Sequence, residues 1–233
     1  MRVLVTRPRH DAEAFAALLH ARGHTTIIEP LIDIDFRSGP PLDLKGVQAI
    51  ALTSANGARA TAARTPARDI RIIAVGPATA AEAKVLGFRN VDESPGEGVN
   101  GLAAHIAATL KPTAGAILHA TGTVTAGDLK AALPAFTVRT AQIYEAHAAQ
   151  TLSGAVTTEL TAGLIDAVTL FSPRTATLFA TLIQNTGLEP ACGRVQALCL
   201  SAAVANALAP LAFRRVQTAE KPTAAALLDL LAP

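Results

Sequence analysis

Residues 49–60 read AIALTSANGARA, and residues 167–178 read AVTLFSPRTATL. Each is an apolar run that stops at a serine, Ser54 or Ser172, and opens into an alanine-rich stretch. A second block follows each copy: RIIAVGPATAAEAKVLGFRNV from Arg71 and VQALCLSAAVANALAPLAFRRV from Val195. Val75 aligns with Leu200, Phe88 with Phe213, Arg89 with Arg214, Val91 with Val216 and Leu102 with Leu227, at one constant offset. A long-period repeat of strand-then-helix units predicts two similar α/β domains. Two such domains are expected to enclose a cleft, the usual seat of a small ligand.

The surrounding sequence fits that reading. Strand patterns alternate with helix patterns throughout, which predicts parallel sheets covered by helices on both faces. RVLVTRP, from Arg2, reads as a buried strand ending in a polar turn. HDAEAFAALLHARG, from His10, reads as an amphipathic helix closed by Gly23. Residues 126–133 read as a further helix. IIEPLIDIDF and VRTAQIYEA are extended segments flanking the first repeat copy. They can pair as a two-stranded ladder, placing residues 1–35 with 146–233 in one domain and 40–142 in the other. Segments 33–40 and 138–147 are then the linkers. Contiguous halves satisfy the same periodicity, so the residues alone leave both partitions open.

Composition narrows the function. The 233 residues are half apolar but only 3% aromatic, without tryptophan, so alanine fills much of the core. Twenty basic side chains against 18 acidic give a net charge of +2. With no basic run, that balance argues against a nucleic-acid surface. No apolar stretch approaches the roughly 18 residues that span a bilayer. The chain enters a strand pattern at once, MRVLVT, without a signal-peptide core, so a cytoplasmic location is expected. Cys192 and Cys199 read as reduced thiols, not as a bridge or metal pair.

The ordered set LVTRP, LTSANG, AVGPATA, QIYEA and LFSPRTA resembles the uroporphyrinogen-III synthase family along the whole chain. The resemblance implies two α/β domains joined by a two-stranded ladder, with the N-terminal unit packed into the C-terminal domain. It implies no cofactor and no metal. The implied substrate is hydroxymethylbilane, a linear tetrapyrrole rich in carboxylates. Its terminal hydroxyl leaves, the far ring is attacked at its substituted carbon to give a spiro intermediate, and that ring recloses inverted. Because the free substrate also closes without inversion, the enzyme's main task is to hold one geometry. The substrate's instability suggests a transient hand-over from hydroxymethylbilane synthase, and a monomer is the expected state. The rival from another class is a non-catalytic module that binds an acidic tetrapyrrole or another small molecule.

The candidate site residues follow from position and from this resemblance. Tyr144, the single tyrosine, matches the family's tyrosine. A phenol keeps its proton at neutral pH and can donate it to the leaving hydroxyl. Its plainer reading is a packed strand tyrosine. Thr79 follows Gly76 at a strand-to-helix turn whose backbone N–H groups suit a carboxylate; Thr79 is assigned with Tyr144 to the catalytic set and Gly76 to substrate binding. The plainer role of Thr79 is to cap its own helix. Ser54 and Ser172 end matched strands at the edge where open α/β sheets bind ligands; both are assigned to carboxylate binding, each alone is equally readable as an N-cap, and their matched positions favour the site. Asn56 and Arg174 follow them, and Arg174 suits a propionate or acetate. Arg7 ends the first strand as the leading cation, with Arg9 beside it read as a solvated charge. Ser201 and Val204 stand where the family keeps Gly and Thr; Val204 has lost the hydroxyl, and Ser201 is the substrate-binding candidate that partly replaces it. Many relatives place arginines at the positions of Thr121 and Ala126, whereas Gly122 between them remains.

Other motifs fail. His20 and His24 lack a third metal ligand, and Gly23 interrupts the helix between them. His105 and His119 are isolated. Gly96-Glu97-Gly98 lacks the context of a dinucleotide loop. Asp33 and Asp35 alternate on an extended segment and read as a solvated face.

Overall fold

The computed structural model describes residues 1–96, 98–124 and 127–231. The chain begins β1 (Arg2–Val5), α1 (Arg9–Ala21), β2 (Thr25–Ile28) and β3 (Ile32–Phe36). It continues β4 (Val47–Leu52), α2 (Ala55–Arg64), β5 (Arg71–Ala74), α3 (Pro77–Val85), β6 (Val91–Glu93) and α4 (Gly98–Thr109). After a 3₁₀ turn (Pro112–Ala114) come β7 (Ala116–Gly122), α5 (Leu129–Ala132), β8 (Val138–Ala148) and α6 (Gly154–Thr161). The remainder is β9 (Ala167–Leu170), α7 (Pro173–Thr186), α8 (Glu189–Cys192), β10 (Gln196–Cys199), α9 (Ala202–Asn206), β11 (Arg215–Thr218) and α10 (Ala224–Asp229).

Two compact units emerge, residues 1–33 with 147–233, and residues 34–146. In the first, five strands run in the order β2-β1-β9-β10-β11, all parallel. Successive side chains of a strand point to opposite faces, and β1 shows the consequence. Leu4 packs on one side with Val168, Phe179 and Ile183. Val3 and Val5 pack on the other with Phe15, Leu19 and Leu227. Covered on both faces, these strands read as unbroken apolar runs. Helix α7 buries Ala176, Phe179, Ala180 and Ile183, at helical spacing. It starts at Ser172, whose side chain accepts from Thr175 N–H, and stops at Gly187, whose φ of 67° is left-handed.

The second unit holds the sheet β3-β8-β7-β4-β5-β6, parallel from β8 through β6. Ile50, Leu52 and Ile72 pack with Phe88 and Leu118 on one face. Ala49, Ala51 and Ile73 pack with Leu102, Ile106 and Leu129 on the other. Burying each large aliphatic side chain contributes about 1.5–3 kcal/mol, which the entropy of ordering the chain largely offsets.

The sequence repeat maps onto the structure strand for strand: β4, β5 and β6 correspond to β9, β10 and β11. The sheet orders add what the repeat lacks. β1-α1-β2 occupies the place in its sheet that β7-α5-β8 occupies in the other. The pair that closes one unit in chain order therefore opens the other. Strands β3 and β8 are neighbours, and β8 also pairs with β7, so this ladder is the edge of the larger sheet. The helix expected over 126–133 is shorter, Leu129–Ala132, with Asp128 accepting from Lys130 and Ala131 N–H as its N-cap. Residue 126 lies outside the described residues.

Cys192 and Cys199 are both free and buried, and burial pushes both thiols up to about 11. Among the described residues, no helix is long and apolar enough to cross a membrane and no group of side chains has metal-site composition.

Candidate active site

Parallel strands all present their C-terminal ends at one edge of a sheet, where the following turns begin. In the unit of residues 34–146 that edge collects Ser54 after β4, Gly76 and Thr79 after β5, Gly122 at the end of β7, and Tyr144 beside it on β8.

Ser54 and Tyr144 are in direct contact, with Ser54 Oγ 2.9 Å from Tyr144 Oη. The same Oγ accepts from Gly57 N–H at 3.0 Å, so Ser54 is also the N-cap of α2. Gly57 lets α2 settle on β7, because a Cβ there would sit 3.2 Å from Ala120 O. Tyr144 is 9% exposed. Its seat depends on an irregularity in the ladder. Thr121 pairs with Gln142 and Gly122 with Tyr144, leaving Ile143 as one extra residue in β8. Regular alternation would send Ile143 and Tyr144 to opposite faces, yet both join the same core cluster. Gly122 completes the seat, since a Cβ there would lie 2.7 Å from Tyr144 Cε2 and 2.9 Å from Cζ. Thr123 N–H donates to Tyr144 O at 3.1 Å and closes the turn.

Thr79 is the third residue of α3 and is buried, at 4% exposure. The cap position belongs to Gly76, and no side chain caps this helix. Gly76 is fully extended, with φ 174°, and a Cβ on it would meet nothing within 4 Å. The protein's own packing therefore does not demand glycine there. Asn56 already has a partner: its Oδ1 accepts from Arg59 Nη1 at 3.0 Å, while Arg59 forms a two-pronged ion pair with Glu82 at 2.8 and 3.0 Å. This clamp ties α2 to α3 behind the edge. The residues of the clamp read in sequence as ordinary helix-surface charges, and nothing in their spacing announces the pairing.

In the other unit the equivalent edge carries Arg7, Ser172, Arg174 and Ser201. Arg7 is committed within the fold. It pairs with Asp11 at 3.1 Å and lies over the Phe171 ring, 4.2 Å from its centre. Phe171 in turn meets Phe15 edge-on at 5.0 Å. Ser172 Oγ accepts from Thr175 N–H at 3.1 Å and lies 2.8 Å from Thr175 Oγ1. Arg174 is exposed at the start of α7, with no ion-pair partner among the described residues. Ser201 takes the N-cap position of α9 but makes no side-chain cap bond, and Val204 is buried.

The match to the family model described as uroporphyrinogen-III synthase HemD covers residues 13–229. The chain belongs to the uroporphyrinogen-III synthase family. These are cyclising enzymes of the lyase type. No curated protein matches the chain. Among solved structures, uroporphyrinogen-III synthetase from Helicobacter pylori is similar with a TM-score of 0.61 at 16% identity, over 99% of this chain and 98% of that one. A mutant uroporphyrinogen III synthase from the extremely thermophilic bacterium Thermus thermophilus has a TM-score of 0.53 at 19% identity, over 99% and 97%. At such identities the likeness speaks for the fold.

Within this synthase family member, Thr121 is a buried residue of β7, and Ala126 lies outside the described residues. His119, two residues before Thr121, is buried at 4% exposure with Nε2 unpartnered among the described residues. Burial lowers its pKa, opposed by the charge of Asp128. Glu97 of the Gly96-Glu97-Gly98 motif also lies outside the described residues.

Proposed function

We propose that this protein is a uroporphyrinogen-III synthase, converting hydroxymethylbilane to uroporphyrinogen III with loss of water. Family membership across residues 13–229 is the observation that carries the reading. Tyr144 is the proton donor in it. The C–O bond of the terminal hydroxymethyl group breaks with its electron pair on oxygen, the phenol supplies a proton, and water departs. The azafulvenium cation left behind is attacked by the far ring. A proton lost when the inverted ring recloses restores the phenol, so the reaction consumes no acid and needs no resident cofactor.

Thr79, Gly76 and the free N–H groups at the start of α3 are assigned to a substrate carboxylate. Ser172, Arg174 and Ser201 are assigned the same role on the other sheet edge, with Arg174 supplying the positive charge. Asn56 and Arg7 bind less directly in this reading, because each already has a partner within the fold. The substrate is hydroxymethylbilane, and a single chain is the working unit.

A coupled assay tests the reading. Hydroxymethylbilane is generated in place, the protein is added, and the oxidised products are separated into type I and type III porphyrins. Type III product that scales with protein concentration supports the enzyme. A non-catalytic module would bind an acidic tetrapyrrole yet leave the isomer ratio unchanged.

A further inference from the structure

We infer that Ser54 is a positioning residue for Tyr144: its hydroxyl donates to the phenolic oxygen and thereby turns the phenolic proton toward the ligand. The inference rests on the synthase reading for its chemistry, but the orientation of the two hydroxyls is a property of the protein alone.

The protons of this pair can be accounted for one by one. A serine hydroxyl has one proton to donate and lone pairs to accept with. At Ser54 one acceptor position is taken by Gly57 N–H at 3.0 Å. That group is itself a donor, so it cannot receive the Ser54 proton. Among the described residues, the remaining polar neighbour of Ser54 Oγ is Tyr144 Oη, at 2.9 Å. Ser54 Oγ has a second lone pair, so either hydroxyl can donate across this contact; the assigned arrangement is Gly57 N–H to Ser54 Oγ, then Ser54 O–H to Tyr144 Oη, because it is the one that leaves the phenolic proton free for the ligand. Tyr144 is then an acceptor toward the protein, with its own proton unspent. A chain of this kind also polarises its last member, because each donated bond strengthens the next. After the proton leaves, the same Ser54 bond holds the phenolate oxygen.

The ring cannot easily turn away from this partner. Gly122 lies against Cε2 and Cζ, and the extra residue Ile143 fixes where Tyr144 enters the cluster. Ser54 thus contributes through Tyr144, not by binding a substrate carboxylate.

The test uses the full chain and exploits the fact that Tyr144 is its single tyrosine. The ultraviolet resonance Raman tyrosine doublet, whose intensity ratio separates an accepting phenol from a donating one, then reports Tyr144 alone. Wild-type protein is expected to show the accepting pattern. Ser54→Thr keeps both cap and donor and is expected to keep that pattern. Ser54→Asp keeps the N-cap but presents only acceptors, so Tyr144 is expected to switch to the donating pattern. With the phenolic proton diverted, kcat for type III product is expected to fall on the order of 10²-fold, the share typical of a positioned acid. Ser54→Thr is expected to recover most of it. A donating pattern in wild type, or a Ser54→Asp protein with wild-type kcat and only a raised KM, would overturn the inference and make Ser54 a plain ligand contact. Absence of type III product from wild-type protein would overturn the synthase reading instead, and the Raman pattern would still decide how the hydroxyls point.

Discussion

Gly122 lies directly beneath the ring of Tyr144, so close that a Cβ would stand 2.7 Å from Cε2. Real side-chain atoms do not tolerate that approach, so Gly122→Ala must displace the ring and part Tyr144 from Ser54. Overpacking of this kind costs about 1–3 kcal/mol of stability. Turnover to type III product is expected to fall further than that loss implies, with KM little changed. Steady-state kinetics beside urea unfolding check this, and full turnover in a destabilised variant would separate Gly122 from the site.

The Arg59–Glu82 pair is a second support, one step removed. Its side chains are only 13% and 19% exposed. Removing Arg59 leaves Glu82 short of two hydrogen bonds and Asn56 short of one. Arg59→Ala is expected to cost about 2 kcal/mol, as for lost hydrogen bonds to a charged group. Chemical denaturation measures the change, and an unchanged midpoint would mean the clamp contributes nothing net.

His119 makes stability depend on pH. Burial lowers its folded-state value below the usual 6.5, whereas the unfolded chain titrates normally. Between the lowered value and 6.5, the unfolded chain binds a proton that the folded chain does not, so stability rises with pH across that window. It is fully present above 6.5 and lost as pH falls below it. His119→Leu is expected to flatten the slope in unfolding measured from about pH 8 down to about pH 5, the range over which histidines titrate. An equal slope in both proteins would assign the effect to other groups.

The two arginines of the other unit are expected to part company. Arg174 is exposed and unpaired among the described residues, so Arg174→Ala is expected to raise KM, more so at low salt, with stability unchanged. Arg7 is held by Asp11 and Phe171, so Arg7→Ala is expected to lower the melting temperature. Kinetics at two ionic strengths and a thermal melt distinguish them, and the reverse pattern would exchange their roles.

Much of the fold was legible because local pattern and repeat agree. Apolar runs ending at Ser54 and Ser172 are buried parallel strands followed by capped helices in both units. The equivalence of β1-α1-β2 with β7-α5-β8 was not legible, because β1 pairs with β9 across a long stretch of chain and the two strand-helix-strand units share no motif. The site was legible as a set of residues and not as a set of bonds. Ser54 and Tyr144 each stand out in sequence, but the bond between them depends on register and on the bulge at Ile143, which alternation does not foretell. The Arg7–Asp11 pair had a visible signal in its i,i+4 spacing.

The most direct test of the central claim is the isomer ratio from hydroxymethylbilane made in place and given to freshly folded protein. Predominant type III porphyrin is predicted from the wild type, with the type III fraction falling toward the uncatalysed product in Tyr144→Phe. Only type I porphyrin, at every concentration of well-folded wild-type protein, would contradict the account.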